Sequence, residues 1–311
     1  MSTNGLLDTI YECLSQAVTE SHETQKNALQ TLGFITKVNP QNRAMLAQID
    51  GAVPTLVALT NAPSPTIQTL SLLILFNLSL NPDLKLSLAD TETIYVLNSR
   101  ISPPTSPDST KLASSLICSL AILDKNKAKF GVAGTVQLLV KAIASSSYDT
   151  DTDSHHLLSS LAELVQFHGN CTLAVRAGAV AVLLKVVESS ASDNEDLAAT
   201  SLTILGLLAR FEEGLIALRK TDNIVDSMLN VLKGRSLSSK EGAAEILIRL
   251  FDDCEESIEQ ALMLPDFSTV LAGLSVRGSV TLRDKAQLLM NKMAELNLNV
   301  TDYVDHKLLF V

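Results

Sequence analysis

The chain has 311 residues, 46% of them hydrophobic but only 4% aromatic, with no tryptophan, and its 24 Lys and Arg against 34 Asp and Glu leave a net charge of -10. An aliphatic composition poor in rings favours helix over sheet, and an acidic chain with no basic face repels phosphate backbones and anionic bilayers, so neither nucleic acid nor a membrane surface is an expected partner. The opening MSTNGLLDTIYECL lacks a basic n-region, and the longest apolar run, residues 70–80, is broken by Ser71, Asn77 and Ser79, which speaks against export and membrane insertion.

Residues 5–20 read as a helix that caps the first repeat, giving a capping segment over 1–23. From there a period emerges. Apolar blocks recur at Val53, Ile94, Val136, Val180, Ile224 and Phe267, separated by 41, 42, 44, 44 and 43 residues, the spacing of a stacked repeat protein. In the clearest copies Val136, Val180 and Ile224 are followed four residues later by Val140, Leu184 and Met228, and seven later by Ile143, Val187 and Val231. That is an apolar stripe on one helix face, which each copy is expected to bury against its neighbour. Within a period the punctuation predicts a short, a medium and a long helix. Gly51, Gly134 and Gly178 mark the turn before the medium helix, where a residue without Cβ permits a sharp bend. The second, fifth and sixth copies carry Thr91, Asp222 and Asp266 nearby instead, so another turn conformation is expected there. Long helices are predicted over residues 24–38, 64–80, 109–123, 152–167, 195–210, 238–251 and 279–295, making residues 24–296 one solenoid followed by a tail, 297–311.

The proline-rich stretch 101–110 (ISPPTSPDST) reads as a stiff connector whose next helix is capped by Asp108 or Ser109. Ser102 and Ser106 each precede a proline and are candidate phosphorylation sites. Further on, Asp149, Asp151 and Asp153 before His155 and His156 resemble the start of an EF-hand loop, but Ser154 and Ser160 stand where its Gly and Glu are needed, so an acidic cap for a helix beginning at His155 is the better reading. Asp252, Asp253, Glu255 and Glu256 form a contiguous run suited to a solvated junction rather than acid/base catalysis. His168, Asn170 and Cys171 are too close in sequence to face one another as base and nucleophile. With no P-loop, GxSxG, GxGxxG or HExxH pattern, no enzyme activity, metal or cofactor is expected. Cys13, Cys118, Cys171 and Cys254 are scattered without paired spacing, which fits a reducing compartment, cytoplasmic or nucleocytoplasmic. Sequons at Asn77, Asn170 and Asn299 are then chance matches.

The segments LFNLSLNPDLKLSL (75–88), SLAILDKNKAKFGVAGTVQLLV (119–140), LVQFHGNCTLAVRAGAVAVLLKVV (164–187) and KAQLLMNKMAEL (285–296) resemble armadillo repeats, and specifically the armadillo half of plant U-box/armadillo proteins. The resemblance covers nearly the whole chain and implies an all-α, right-handed α-solenoid of six to seven repeats whose long helices line a concave groove. The Cys-Pro-Ile and Asp-Pro-Val elements of a U-box do not occur in this sequence, so an autonomous ligase is disfavoured. Armadillo proteins that bind extended peptides, such as importin-alpha, carry an Asn near the end of each long helix and a Trp one turn earlier. That register puts Phe34, Asn77, Ile122, Glu163, Leu207, Arg249 and Lys292 at the Asn position, and Gln30, Leu73, Cys118, Ser159, Thr203, Glu245 and Leu288 at the Trp position. Only Asn77 matches, so recognition of nuclear-import signals is not expected. His156 is a further groove candidate, with binding that would weaken as its imidazole titrates near pH 6.5. The surface suits a folded or helical protein partner. The resemblance implies a non-catalytic scaffold in ubiquitin or receptor-like-kinase signalling. The alternative is the substrate-recognition part of a U-box-type ligase whose catalytic domain lies on another chain or isoform. Among binding modules, the runner-up is a transport or cytoskeletal adaptor.

Overall fold

The computed structural model describes residues 3–102, 106–146, 152–189 and 195–308, with side chains between residues 5 and 297 of those spans except 152 and 153. Among the described residues there are twenty α-helices and no strand. They form two compact units, the first comprising Met1–Ser146 and Asp151–Leu173, the second mainly Ala174–Val311.

Unit 1 begins with α1 (Thr3–Ala17) and α2 (His22–Val38), then α3 (Pro40–Gln48), α4 (Ala52–Leu59) and α5 (Pro65–Ser79). It continues through α6 (Lys85–Leu88), α7 (Thr91–Ile101), α8 (Pro107–Ala121), α9 (Asp124–Val132), α10 (Thr135–Ser145), α11 (Thr152–Leu164) and the first turns of α12 (His168–Arg176). The long helices α1, α2, α5, α8 and α11 pack side by side in that order, and α4, α7 and α10 lie against α5, α8 and α11. Unit 2 comprises α13 (Ala179–Ser189), α14 (Glu195–Leu208), α15 (Glu212–Arg219), α16 (Ile224–Lys233), α17 (Leu237–Asp253), α18 (Glu255–Met263), α19 (Phe267–Arg277) and α20 (Val280–Leu308). Here α14, α17 and α20 are the long layer, and α13, α16 and α19 pack on them. The three-helix period of the sequence is therefore the period of each unit.

Local chemistry sets the helix starts. Ser21, Asn39 and Ser236 accept backbone N–H bonds as N-caps of α2, α3 and α17, and Pro40, Pro65 and Pro107 occupy first-turn positions that need no donor. Gly51, Gly134 and Gly178 turn into the medium helices with φ of 77°, 80° and 84°. The fifth copy departs from expectation: Asn223 adopts the same left-handed conformation, φ 57°, because a short polar side chain tolerates that region. The second copy does use another device, with Asp90 accepting the Thr93 N–H at 2.7 Å, and the sixth enters through a right-handed Asp266.

Other boundaries also shift. The cap of α8 is Ser106, which accepts the Ser109 N–H, so Asp108 and Ser109 lie inside the helix rather than before it. Likewise α11 starts at Thr152, which places Asp153 and Ser154 within it, while Asp149 and Asp151 lie outside the described residues. The last helix runs to Leu308, well past residue 295. The apolar stripes are buried in α10 and α13. Those of α13 and α16 do not close on each other, however. A cavity of about 300 Å³ lies between them, lined by Leu184, Val187, Met228 and Val231.

Candidate protein-binding surfaces

In unit 1 the long helices expose apolar side chains on the face that the groove register selects. Phe34 on α2 is 69% exposed and Ile122, at the end of α8, 60% exposed, with Gln30 and Ser159 exposed and Leu73 half-buried beside them. The register itself slips. Asn77 is only 5% exposed, and its carboxamide donates to the Gly33 carbonyl at 3.2 Å and to Thr36 Oγ1 at 3.0 Å. Its N–H groups are thus spent on the preceding repeat, and it is not a free donor for a partner's backbone. Thr36 and Ser119, not Phe34 and Ile122, hold the corresponding buried positions two residues before their helix ends, and Ile122 lies one residue beyond α8.

The remaining unit 1 candidates form small polar clusters. His156 Nδ1 lies 3.0 Å from Ser115 Oγ. Burial, then Lys111 and His155, push the imidazole below its ordinary range, so any pH response through it falls below pH 6.5 rather than at it. The Cys118 thiol faces the Ser159 carbonyl. Burial and then Glu163 raise its pKa, while Lys85 opposes them. Glu163 pairs with Lys127 at 3.1 Å. Burial works against the Lys127 charge, yet the hydrogen bonds that its ammonium donates to Asp124 and Glu163 hold its pKa above the usual value.

Lys85 escaped sequence reasoning. It is only 8% exposed and has no carboxylate partner among the described residues; its ammonium donates to Ser119 O at 2.6 Å and Ser119 Oγ at 2.9 Å. Burial lowers its pKa, since the charged form loses solvation that two neutral acceptors only partly replace. Asn126 and Asn170 were missed as well. Each carboxamide bridges a carbonyl six residues earlier and one in the preceding repeat: Leu120 and Lys85 for Asn126, Leu164 and Lys127 for Asn170. The signal was the spacing of Arg43, Lys85 and Lys127, 42 residues apart, with an Asn before the first and third.

In unit 2 four of the candidates, though not Leu288 or Lys292, converge beside Lys285. Thr203 and Leu207 on α14, Glu245 and Arg249 on α17, and Lys285 on α20 line one shallow pocket of about 400 Å³. Arg249 and Lys285 grip Glu245 at 2.7 and 3.1 Å. Burial alone would raise the Glu245 pKa, but the two cations bring it below the ordinary value. Lys292 pairs with Asp252, and Arg219 with Asp253 at 3.1 Å, so the acidic run 252–256 supplies ion-pair acceptors. Ser102 Oγ donates to the Asn98 carbonyl, and Ser106 is engaged as a cap. Cys171 is buried and its thiol donates to the Val165 carbonyl. Asn170 is buried with it, as Asn77 is, a poor setting for glycosylation. No single helix among the described residues is long and apolar enough to cross a membrane.

No known family profile matches the chain. It is 26% identical over 230 residues to U-box domain-containing protein 8 of Arabidopsis thaliana, a match that covers 73% of this chain and 58% of that protein. The chain thus spans little more than half the length of this curated relative. Among solved structures, an engineered protein aligns over 92% of this chain and 68% of its own, with a TM-score of 0.76 and 19% identity. A computationally designed armadillo repeat protein for modular peptide recognition aligns over 76% of this chain and 98% of its own, with a TM-score of 0.68 and 16% identity. A second designed armadillo repeat protein covers 91% of this chain with a TM-score of 0.53. The architecture is the armadillo-repeat solenoid, and the sequence resembles a plant U-box protein.

Proposed function

We propose that this armadillo-repeat chain is a non-catalytic scaffold that binds protein partners through the exposed face of its long helices, as an adaptor in signalling or the ubiquitin pathway. The observation that carries this reading is the exposure of Phe34 and Ile122 on the long-helix layer of unit 1. Large apolar side chains held in the open on a rigid stack are what a docking surface requires. The pocket around Leu207 and Arg249 gives unit 2 a surface of its own. A cytoplasmic or nucleocytoplasmic site of action is the reading of the scattered cysteines, and receptor-like-kinase or ubiquitin-pathway partners are what the family resemblance implies. Phosphorylation of Ser106 would place a dianion at the start of α8, where the helix dipole favours it.

The test is affinity capture from plant extract with the intact chain beside two folded variants, Phe34→Glu/Ile122→Glu and Leu207→Glu/Arg249→Glu. Partners lost selectively from one variant support the reading and assign the unit. Identical partner lists sink it. The alternative, substrate recognition for a U-box-type ligase, is favoured by the similarity to the plant U-box protein. It predicts that a captured partner is ubiquitinated only when such a ligase is added to the purified chain, and that the chain alone forms no conjugates.

A further inference from the structure

The chain carries ten more acidic than basic residues, and its composition gives no reason to expect a basic face, yet in unit 2 three cations gather around one pocket. Arg235, from the connection between α16 and α17, Lys240, in the first turn of α17, and Arg277, at the end of α19, line a cavity of about 370 Å³ whose apolar wall includes Val270, Leu274 and Leu282. Of the other cations in this unit, Arg219, Lys233, Arg249, Lys285 and Lys292 are matched to carboxylates, whereas Arg176, Lys185, Arg210, Lys220 and Arg283 are not, among the described residues, and these five do not line the pocket. Arg235, Lys240 and Arg277 have no carboxylate within ion-pair distance among the described residues. Like charges brought together without a counter-ion repel, and an incoming anion relieves that repulsion.

A second, independent feature points into the same pocket. Gly273 lines it from the interior of α19, where glycine costs about 1 kcal/mol relative to alanine. A Cβ built at Gly273 meets nothing within 4 Å, and its φ is not positive. Neither packing nor backbone conformation therefore requires glycine there. Its effect is to leave the pocket wall bare, so that another molecule can approach the helix backbone closely.

We propose that this pocket docks an acidic peptide segment of a partner protein, one bulky apolar side chain seating against α19 at Gly273 while flanking carboxylates meet Arg235, Lys240 and Arg277. A shallow depression of this volume suits a side chain and its neighbours. The acidic remainder of the chain opposes the broad approach that an anionic bilayer would need. The pocket shares no lining residue with the one around Leu207 and Arg249, and it includes neither Phe34 nor Ile122.

The probes are fluorescein-labelled peptides Asp-Glu-Phe-Asp-Glu-Glu and Asp-Glu-Leu-Asp-Glu-Glu, with counterparts in which every acid is replaced by lysine, read by fluorescence anisotropy on the full chain. The acidic peptides should bind, weaken with added salt, and outcompete the lysine counterparts. Gly273→Leu, which fills the pocket, and Arg235→Glu/Arg277→Glu, which reverses its charge, should each weaken binding at least tenfold with unchanged circular dichroism. Phe34→Glu/Ile122→Glu should leave it unchanged. If Gly273→Leu does not fold, the charge-reversal pair decides. Acidic peptides that bind no better than lysine peptides, or binding untouched by the pocket variants, overturn the proposal. So does binding to phosphatidylserine vesicles that these variants abolish while no peptide binds.

Discussion

In unit 1 consecutive repeats are tied together by buried polar side chains: Asn77 to Gly33 and Thr36, Lys85 to Ser119, Asn98 to Ala133 and Thr135, Asn126 to Lys85 and Asn170 to Lys127. In unit 2 the positions that follow Asn170 by one and two periods hold Gly214 and Ser257. The ties between its repeats are ion pairs such as Arg219 with Asp253, Lys233 with Asp266 and Lys285 with Glu245. A buried carboxamide with two acceptors fixes one register, because any slip leaves polar groups unpaired in a dry interior. A surface ion pair tolerates a slip and contributes little. Unit 1 is therefore defined by what its polar residues bind inside the stack, whereas unit 2 keeps charged side chains on its surface, where a partner can reach them.

The largest expected effect comes from the unit 2 position that holds Gly214 where unit 1 has the amide of Asn170. A Cβ at Gly214 would lie 2.1 Å from the Leu208 carbonyl oxygen. Gly214→Ala must displace α15 and should cost about 3 kcal/mol, read as a lowered urea midpoint with faster hydrogen exchange in α15. A midpoint within experimental error of wild type would mean that unit 2 is loose enough to absorb the methyl. Next comes Asn170→Ala in unit 1. It strips donors from two buried carbonyls and should cost about 2 kcal/mol, so a neutral outcome would show that buried amides do not hold this unit.

Lys85→Met sharpens the comparison through pH. Because the folded pKa of Lys85 is lowered, the unfolded chain binds more protons between that pKa and the ordinary value near 10.5. Wild-type stability therefore gains from this group as pH rises through that window. The variant should lose this rise while staying within about 1 kcal/mol of wild type at pH 7, since an apolar replacement of a buried charge is often tolerated. An identical pH profile in the two proteins would contradict the burial argument. Smallest of all, Lys233→Ala removes an exposed pair and should change stability by less than about 0.5 kcal/mol. A loss as large as that of Asn170→Ala would erase the distinction between the units.

Much of the architecture was legible beforehand. The long helices fall within about three residues of expectation, apart from the extension of α20, because caps, prolines and apolar periodicity act over a few residues of chain. Gly51, Gly134 and Gly178 are turn residues as their spacing implies, for the same reason. Asn223 was missed because it sits one residue after the Asp222 that the alignment singled out, and only backbone geometry shows which of the two turns. The candidate surface was less legible. Phe34 and Ile122 were selected and are exposed, but Asn77, chosen by the same register, is buried. A shift of one or two residues rotates a helical position by about 100° or 200°, enough to exchange solvent for the neighbouring helix.

The sequence by itself determined the period, the three-helix unit, the turn glycines and the stripes to be buried, since each depends on local propensity or on a repeat visible along the chain. The tertiary structure alone decided which polar groups meet partners some 40 residues away, as Lys85 meets Ser119. It also decided that α13 and α16 leave a cavity between them, and that Arg235, Lys240 and Arg277 surround one pocket beside a bare glycine. These outcomes depend on how far and at what angle one repeat stands from the next, and that distance is set by the summed packing of whole helices rather than by any short stretch of residues.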